Sequence, residues 1–440
     1  MSHNSRRALF YGLFAVFLIL GTGIVLFAEG WRVDFPSFRV SKVGGIYVRA
    51  YPEDANIFLN GKPVRNQSGF LAQGTLLSDL FPKTYRLTIT APGYVDWHEN
   101  ATVAPSLVDN HKYAVLVPAT STRAATSTIA EFATSHGSVL LETTRGEILL
   151  DGKTIGFGTL VAESPDLQSM IFQTAKGTYE FEDASTETMT DLSNMLTGEG
   201  FSTSSPIQIS ISPFANKTVL VANAKKVALF DMAQFSASEI GAAQMGKVIG
   251  SSLALSPSTI AWSSSANTTS SLLFFYDLSS RNIASTTIAL TGSIKKLDWI
   301  TDAILGILTK NGSLYLYDVY QQNLRKIADD VRTMGATADG SRIATLESFS
   351  LEIFTPSDPE GYYRFNLPDI ADAQTAQWYG DDDHLFIAYP DRAAFLDLQD
   401  ASLANFITVS SGTAPHYDAD ANTLYMIDHH KYLLRFDFPK

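Results

Sequence analysis

Two acidic runs carry the residue types that hold a hard cation. Asp381-Asp382-Asp383-His384 and Asp418-x-Asp420-x-Asn422 each gather several side-chain oxygens within one turn, a donor set of the kind calcium takes. Neither run continues into the glycine and distal bidentate acid of a full calcium loop. Both fall at expected hairpin turns, where aspartate is favoured for its bonds to neighbouring main chain. Turn formation is therefore the expected role, and no metal site is assigned. His429-His430 is a further pair of ligand type. Adjacent residues of a strand point to opposite faces, so a regular strand does not bring both rings to one metal, and a turn is the expected setting. Serines are abundant, but there is no Gly-x-Ser-x-Gly elbow. A glycine-rich phosphate loop and a His-Glu-x-x-His helix are also missing. No catalytic residue, binding residue or cofactor is assigned on these grounds. Carboxylates converging from distant loops leave no local motif, so that chemistry stays open. Asn-x-Ser/Thr sequons occur at Asn66, Asn100, Asn216, Asn267 and Asn311, a number that chance supplies in a chain rich in serine and threonine.

The elements that would position any such residues are β-strands. At 440 residues the chain suggests two or three domains. Apolar residues make up 45% and charged residues 18%, which supports packed cores and excludes a disordered chain. The 27 Phe and 18 Tyr favour sheets over helical bundles. The absence of cysteine excludes disulfides, thiolate zinc sites, a cysteine nucleophile and a lipid anchor on an N-terminal cysteine. The formal charge is −13, and the first 28 residues hold Arg6 and Arg7 but no acid. The remainder thus has 30 bases against 45 acids, or −15. Such a surface repels nucleic-acid phosphates, so no nucleic-acid partner is expected; solubility is the simplest use of the charge.

The exception to β-structure is the N-terminus. Residues 8–28 are 21 consecutive uncharged residues, which as a helix span roughly 30 Å, the thickness of a hydrocarbon core. The bilayer is therefore the expected partner of residues 8–28. Arg6 and Arg7 precede the run and Glu29 follows it. Positive charge favours the cytoplasmic side, so residues 1–7 are expected as a cytoplasmic tail, with the C-terminal domains extracytoplasmic on a single-pass cell-membrane protein. A cleaved signal peptide is the alternative, with Ala28-Glu29-Gly30 as a small-x-small site; the run is longer than the usual ~7–15 residues of a signal core.

Residues 30–43 read as a short extended stalk. Beyond it, Ile46 to Ala50 and Ala55 to Leu59 read as strands around the turn Pro52-Glu53-Asp54, and Asn60-Gly61 is a strong hairpin signal. Tyr85, Leu87 and Ile89 alternate on one face of a half-buried strand, Ala91-Pro92-Gly93-Tyr94 forms a further turn, and a last strand lies near Tyr113 to Val117. Residues 44–118 thereby resemble the PEGA family, a small β-sandwich module of bacterial and archaeal envelope proteins. Its Pro-Glu-Gly-Ala turn corresponds to Pro52-Glu53-Asp54-Ala55. Asp54 departs from the family's glycine, though aspartate tolerates unusual φ better than most residues. The resemblance implies a fold and a prokaryotic source but no catalytic site.

Residues 119–136, rich in Ser, Thr and Ala, read as a linker. From there to Lys440 the chain repeats. An apolar–acidic pair ends a strand at Phe181-Glu182, Phe230-Asp231, Tyr276-Asp277, Tyr317-Asp318, Leu396-Asp397 and Phe436-Asp437, with a degenerate Phe354-Thr355 between. Six steps cover 255 residues, or 42.5 per step, the period of a four-stranded propeller blade. Polar turns keep the same beat at Ser164-Pro165-Asp166, Ser212-Pro213, Ser256-Pro257, Asp339-Gly340, Asp381-Asp382-Asp383 and Asp418-Ala419-Asp420. They mark hairpins between the two inner strands of each blade. The pattern resembles the Ser-Pro-Asp-Gly repeats of TolB-type and WD40-like propellers. The expected fold is all-β: a transmembrane helix, a small sandwich, and over 137–440 a propeller of seven blades, with six or eight as alternatives. The strand Glu147-Ile148-Leu149-Leu150 is expected to supply the missing outer strand of the last blade and close the ring. A non-enzymatic envelope protein follows, whose propeller binds protein or polysaccharide. The competing class is a glycan-active hydrolase or lyase using the propeller's central cleft.

Overall fold

A computed structural model describes the chain except residues 1–2, 35–38, 69–72, 203–206, 213–216, 224–225, 241–247, 266–269, 291, 400–402 and 404. The chain forms two compact units. One is Met1–Thr120 with Asp397–Ile407 and Phe438–Lys440, and the other is Ser121–Leu396 with Thr408–Asp437.

The first unit begins with the helix His3–Ala28. Its stretch Leu9–Ala28 is long and apolar enough to cross a membrane, and none of it is buried in protein. Gly30 (φ +86) turns the chain into a short hairpin, Trp31–Asp34 paired with Arg39–Lys42. The stretch read as an extended stalk is therefore folded back. Its two arms satisfy each other's main chain, and Gly30 O accepts the Val43 N–H. Arg32 holds the arm in place: its guanidinium lies 3.7 Å over the Phe27 ring and donates to Phe27 O and Asp79 Oδ1, both at 2.7 Å.

A β-sandwich follows. Gly44–Tyr51 is the centre of a three-stranded sheet between Thr75–Leu80 and Val108–Val115. The second sheet has the order Lys62–Val64, Asn56–Leu59, Thr84–Thr90, Trp97–Thr102. Asn60 and Gly61 both take positive φ, as a type I′ turn requires. Tyr85, Leu87 and Ile89 all point into the shared core, together with Ile46, Val48, Ile57 and Trp97.

The second unit is a β-propeller. Seven four-stranded antiparallel sheets follow one another over residues 129–157, 159–191, 208–239, 248–289, 294–328, 331–365 and 375–411. The eighth is built from Thr413–Asp418, Thr423–Ile427, Leu433–Asp437 and, as its outer strand, Thr122–Arg123. Each sheet meets the next. Ile148 shares a core with Met170, Phe181 with Val219, Leu220 with Trp262, Leu305 with Phe275, and Leu316 with Ile343. Trp378 Nε1 donates to Gly335 O between sheets six and seven, and Phe386 packs 4.9 Å from Tyr417 between seven and eight. Leu433 and Tyr425 of sheet eight join Ile129 and Leu141 of sheet one, which closes the ring.

Three expectations change. The stretch 119–136 is not a linker: Thr122–Arg123 closes the ring, and Ile129–Ser135 is the first strand of sheet one. Among the described residues the propeller has eight four-stranded sheets, one of the alternatives to the expected seven. Sheet one breaks the 42-residue beat because two of its three turns are only two residues long: His136-Gly137 (φ +52, +83) and Asp151-Gly152 (φ +50, +81). Its apolar–acidic pair, Leu150-Asp151, arrives early. The closing strand is also not Glu147–Leu150, which is the third strand of sheet one, with Ile148 0% exposed. An outermost strand faces water on its free edge, so the polar Thr122–Arg123 suits it and apolarity is the wrong criterion.

The recurring acid has a local cause. In sheets three, four and five the carboxylate at the end of the third strand accepts the N–H groups of the following turn. Asp231 takes Ala233 and Gln234, Asp277 takes Ser279 and Ser280, and Asp318 takes Tyr320 and Gln321. Bonds from Ser279 and Ser280 hold the exposed Asp277 carboxyl down at about 2. Four residues past Asp231, Asp277 and Asp318, and past Asp183 in sheet two, Phe235, Arg281, Gln322 and Glu187 sit at positive φ, the left-handed position that ends such a hairpin turn.

Candidate functional site

The acidic runs are spent on turns. Asp381 Oδ1 accepts the Asp383 N–H and its Oδ2 lies 2.7 Å from His384 Nδ1, on a ring that is 0% exposed and stacked 4.9 Å from Phe395. Asp383 pairs with Arg342 at 3.0 Å. Asp418 Oδ1 accepts Asp420 N and Ala421 N, while Oδ2 reaches Gly137 N at 2.9 Å and helps seal the ring. Asn422 Oδ1 accepts the Tyr417 hydroxyl at 2.5 Å. Among the described residues, no group of three or more His, Asp or Glu could hold a metal. His429 and His430 lie in the turn after Ile427, with His430 N donating to Asp428. Of the sequons, Asn66 is engaged with Glu53 O, Ala55 O and the Thr75 hydroxyl, Asn100 is exposed on a strand, and Asn311 is in a hairpin turn. Asn216 and Asn267 lie outside the described residues.

The propeller carries a cleft of about 650 Å³ between sheets five and six, within the range of ligand sites. Its floor is Ile304 and Leu316, and its walls are Gln321, Asn323, Arg325, Ser341 and Ser357. Amide and hydroxyl donors thus surround a small apolar patch, a lining that matches the hydroxyls and C–H faces of a sugar or the main chain of a peptide. Asp318 is the single carboxylate of the lining, and it is committed to the Tyr320 and Gln321 N–H groups.

Titratable groups gather elsewhere, on the first strands of the sheets. These strands bear register shifts in sheets one, two, four, five, six and eight, and a bulge re-aims its extra residue. In sheets five and six the extra residues are Lys295 and Arg332. Lys295 Nζ donates to Arg332 O at 2.8 Å, and Arg332 reaches the carbonyls of Glu347, Ile370, Ala371 and Ala373. Glu131, Glu163 and His416 lie on the first strands of sheets one, two and eight, which adjoin. Crowding by surrounding strands raises the Glu163 pKa, and repulsion from Glu131 adds to it. Desolvation lowers the His416 pKa, against the pull of Asp418. A last carboxyl pair, Glu347 and Glu352, sits in sheet six. Burial first, then Glu352, pushes Glu347 up to about 7, while Arg364 binds Glu352. The strand Leu351–Thr355 separates this pair from the cleft, about 10–13 Å along the chain.

In the first unit, His111 is 6% exposed, with Nδ1 2.9 Å from Glu99 Oε2 and Nε2 3.4 Å from Asp109 Oδ2. Burial alone would lower its pKa; the two carboxylates outweigh burial and raise it. The folded state then holds the proton more tightly than the unfolded chain. The stabilisation is complete below about 6.5 and is lost as pH rises through the elevated value. Melting of this unit is expected to fall between pH 6 and pH 9, and H111Q should flatten that slope. An unchanged pH profile in H111Q would reject the pairing.

Neither a protein-family model nor a curated protein matches this chain. Solved structures share its fold. The computationally designed Ika8 protein superposes with a TM-score of 0.51 at 11% identity, over 72% of this chain and 98% of that one. An oligogalacturonate lyase in complex with manganese gives 0.47 at 11% identity, over 73% and 96%. The first likeness is one of fold alone; the second is too slight to build on.

No sequence motif announced the cleft, because its walls come from turns some 35 residues apart. The Glu131–Glu163 repulsion was equally silent, since the two acids lie on strands of different sheets and no local motif links them.

Proposed function

We propose that this protein is a membrane-anchored, extracytoplasmic binding or scaffold protein of the cell envelope, whose propeller holds a polysaccharide or protein segment in the cleft between sheets five and six. The observation that carries the reading is the helix Leu9–Ala28: twenty residues, none buried in protein, joined to a long β-structured chain. Such a surface suits lipid, where a helix satisfies all of its own main-chain groups. Arg6 and Arg7 before it and Glu29 after it favour an inside N-terminus. The resemblance of residues 44–118 to the PEGA family supports an envelope setting. The cleft supports binding over turnover, because its one carboxylate is engaged in a turn and the near-neutral Glu347 lies apart from it. A glycan-active hydrolase or lyase remains the second reading, favoured by the Glu131–Glu163 repulsion on adjoining first strands.

The test is fractionation with protease access. The full chain should stay in the membrane pellet through alkaline carbonate washing, and protease added outside intact spheroplasts should degrade everything after Trp31. Release by carbonate, or protection of the C-terminus, would refute the anchor or its orientation. Turnover of a glycan that E131Q and E163Q abolish would decide for the enzyme.

A further inference from the structure

The outer face of the three-stranded sheet in the first unit carries a second concave site, of about 300 Å³, lined by Tyr47, Arg49, Asn110, Lys112 and Tyr113. Its composition follows from strand alternation. Ile46, Val48 and Ala50 are at most 1% exposed and point into the core, which sends Tyr47 and Arg49 to the other face. The neighbouring strand Val108–Val115 runs parallel, pairing Tyr47 with Asn110 and Val48 with His111. The register then shifts before Ala50 meets Ala114. Two residues, Lys112 and Tyr113, therefore stand opposite Arg49 alone, and this bulge gathers a second cation and a second ring onto one spot.

The groups are only partly used within the chain. The Tyr47 hydroxyl donates to Gln73 O, which fixes its ring. The Arg49 guanidinium packs 5.0 Å from the Tyr51 ring centre and reaches Glu53 only at 3.8 Å. Its Nε is shielded from water and finds no hydrogen-bond partner among the described residues. Lys112 makes no ion pair among them. The charge around the site differs from the rest of the molecule. Residues 29–120 hold nine Lys and Arg against eight Asp and Glu, whereas residues 121–440 hold 21 against 37, a formal −16.

We propose that this face binds the carboxylate-bearing sugar units of an acidic polysaccharide. The Arg49 side chain is 25% exposed at this face, so its terminal guanidinium nitrogens can meet a carboxylate, and Lys112 adds a point charge beside it. Tyr47 and Tyr113 supply flat apolar surfaces for pyranose C–H faces, and the Asn110 amide supplies a donor and an acceptor for ring hydroxyls. The two rings distinguish this site from a phosphate site, which needs donors and charge but no apolar surface for C–H faces. The inference stands on the first unit and does not depend on what the propeller binds.

The experiment uses the full chain in nanodiscs of neutral lipid, titrated calorimetrically with alginate oligomers as a uronate probe, with neutral dextran and inorganic phosphate as comparisons. Alginate should bind, and R49Q and K112Q should each weaken it about tenfold, the effect of losing one charge-assisted contact, at unchanged melting temperature. R49K should recover only part of the loss, because it restores charge without the fork. Y113A should weaken alginate while leaving the melting temperature in place. Alginate binding unchanged in R49Q/K112Q would overturn the proposal. Equal binding of dextran would do the same, as would tight binding of phosphate alone.

Discussion

Replacing Arg332 by methionine is expected to destabilise the propeller by about 3 kcal/mol, the cost of stranding several carbonyls that a charged donor had satisfied. For a domain of this size that is a fall in melting temperature of roughly 6–9 °C. The guanidinium bonds Ile370 O at 2.6 Å, Ala371 O at 2.7 Å, Ala373 O at 2.9 Å and Glu347 O at 2.9 Å. It thereby ties the first two strands of sheet six to the chain that leads into sheet seven. Methionine keeps most of the apolar stem, so the lost quantity is the fork of donors. R332K should fall between the two, since one ammonium cannot span four carbonyls. K295M, which removes one exposed donor to Arg332 O, should cost under about 1 kcal/mol. Calorimetric melting of the four proteins checks the order. An R332M protein that melts within a degree of the parent would show that the carbonyls find other donors.

Breaking the closing strand is the second large effect expected. Thr122 pairs with Arg435 and Arg123 with Leu434; Ala124 N donates to Leu433 O at 2.8 Å, and the Arg123 guanidinium lies 3.7 Å over the Tyr432 ring. The double substitution R123P/A124P removes main-chain donors from this strand and the ring contact with Tyr432. The edge of Leu433–Asp437 is then open to pairing with another chain. We expect a fall in melting temperature of roughly 10 °C, from the lost bonds together with the loosened core of Ile129, Leu141 and Leu433, and concentration-dependent aggregation on heating. Proline at Lys326, in the outer strand of sheet five, is the comparison. That strand is held by chain on both sides, so K326P should soften one sheet without opening the ring. If R123P/A124P and K326P melt alike, and neither aggregates, the strand is an ornament and closure rests on the eight-to-one core alone.

Much of this architecture was legible in the chain because its causes are local. The length and composition of residues 8–28 determine a membrane-compatible helix whatever follows. Asn60-Gly61 determines a hairpin because two consecutive positive-φ residues are needed and those two types accept it. The apolar–acidic beat marks a four-stranded repeat because acids such as Asp231, Asp277 and Asp318 bond the main chain of the turn that follows. Tyr47 and Arg49 could also have been noticed as the polar half of an alternating strand.

Other features were decided by tertiary structure. Sheet one hid because its first strand, Ile129–Ser135, lies within the Ser-, Thr- and Ala-rich stretch 119–136 and so looked like a linker, and because its short turns broke the beat. Which segment closes the ring depends on the main chain of Leu433 and Arg435, some 310 residues away, and main-chain bonding leaves no mark on side-chain type. The bulge that sets Lys112 and Tyr113 against Arg49 is a register shift between strands about 60 residues apart. The repulsion between Glu131 and Glu163 arises because two sheets adjoin around a ring. In each case the deciding contact joins residues that sequence neighbourhood does not connect. The chain by itself therefore determined its elements and their repeat, while packing determined which edges pair and which charges meet.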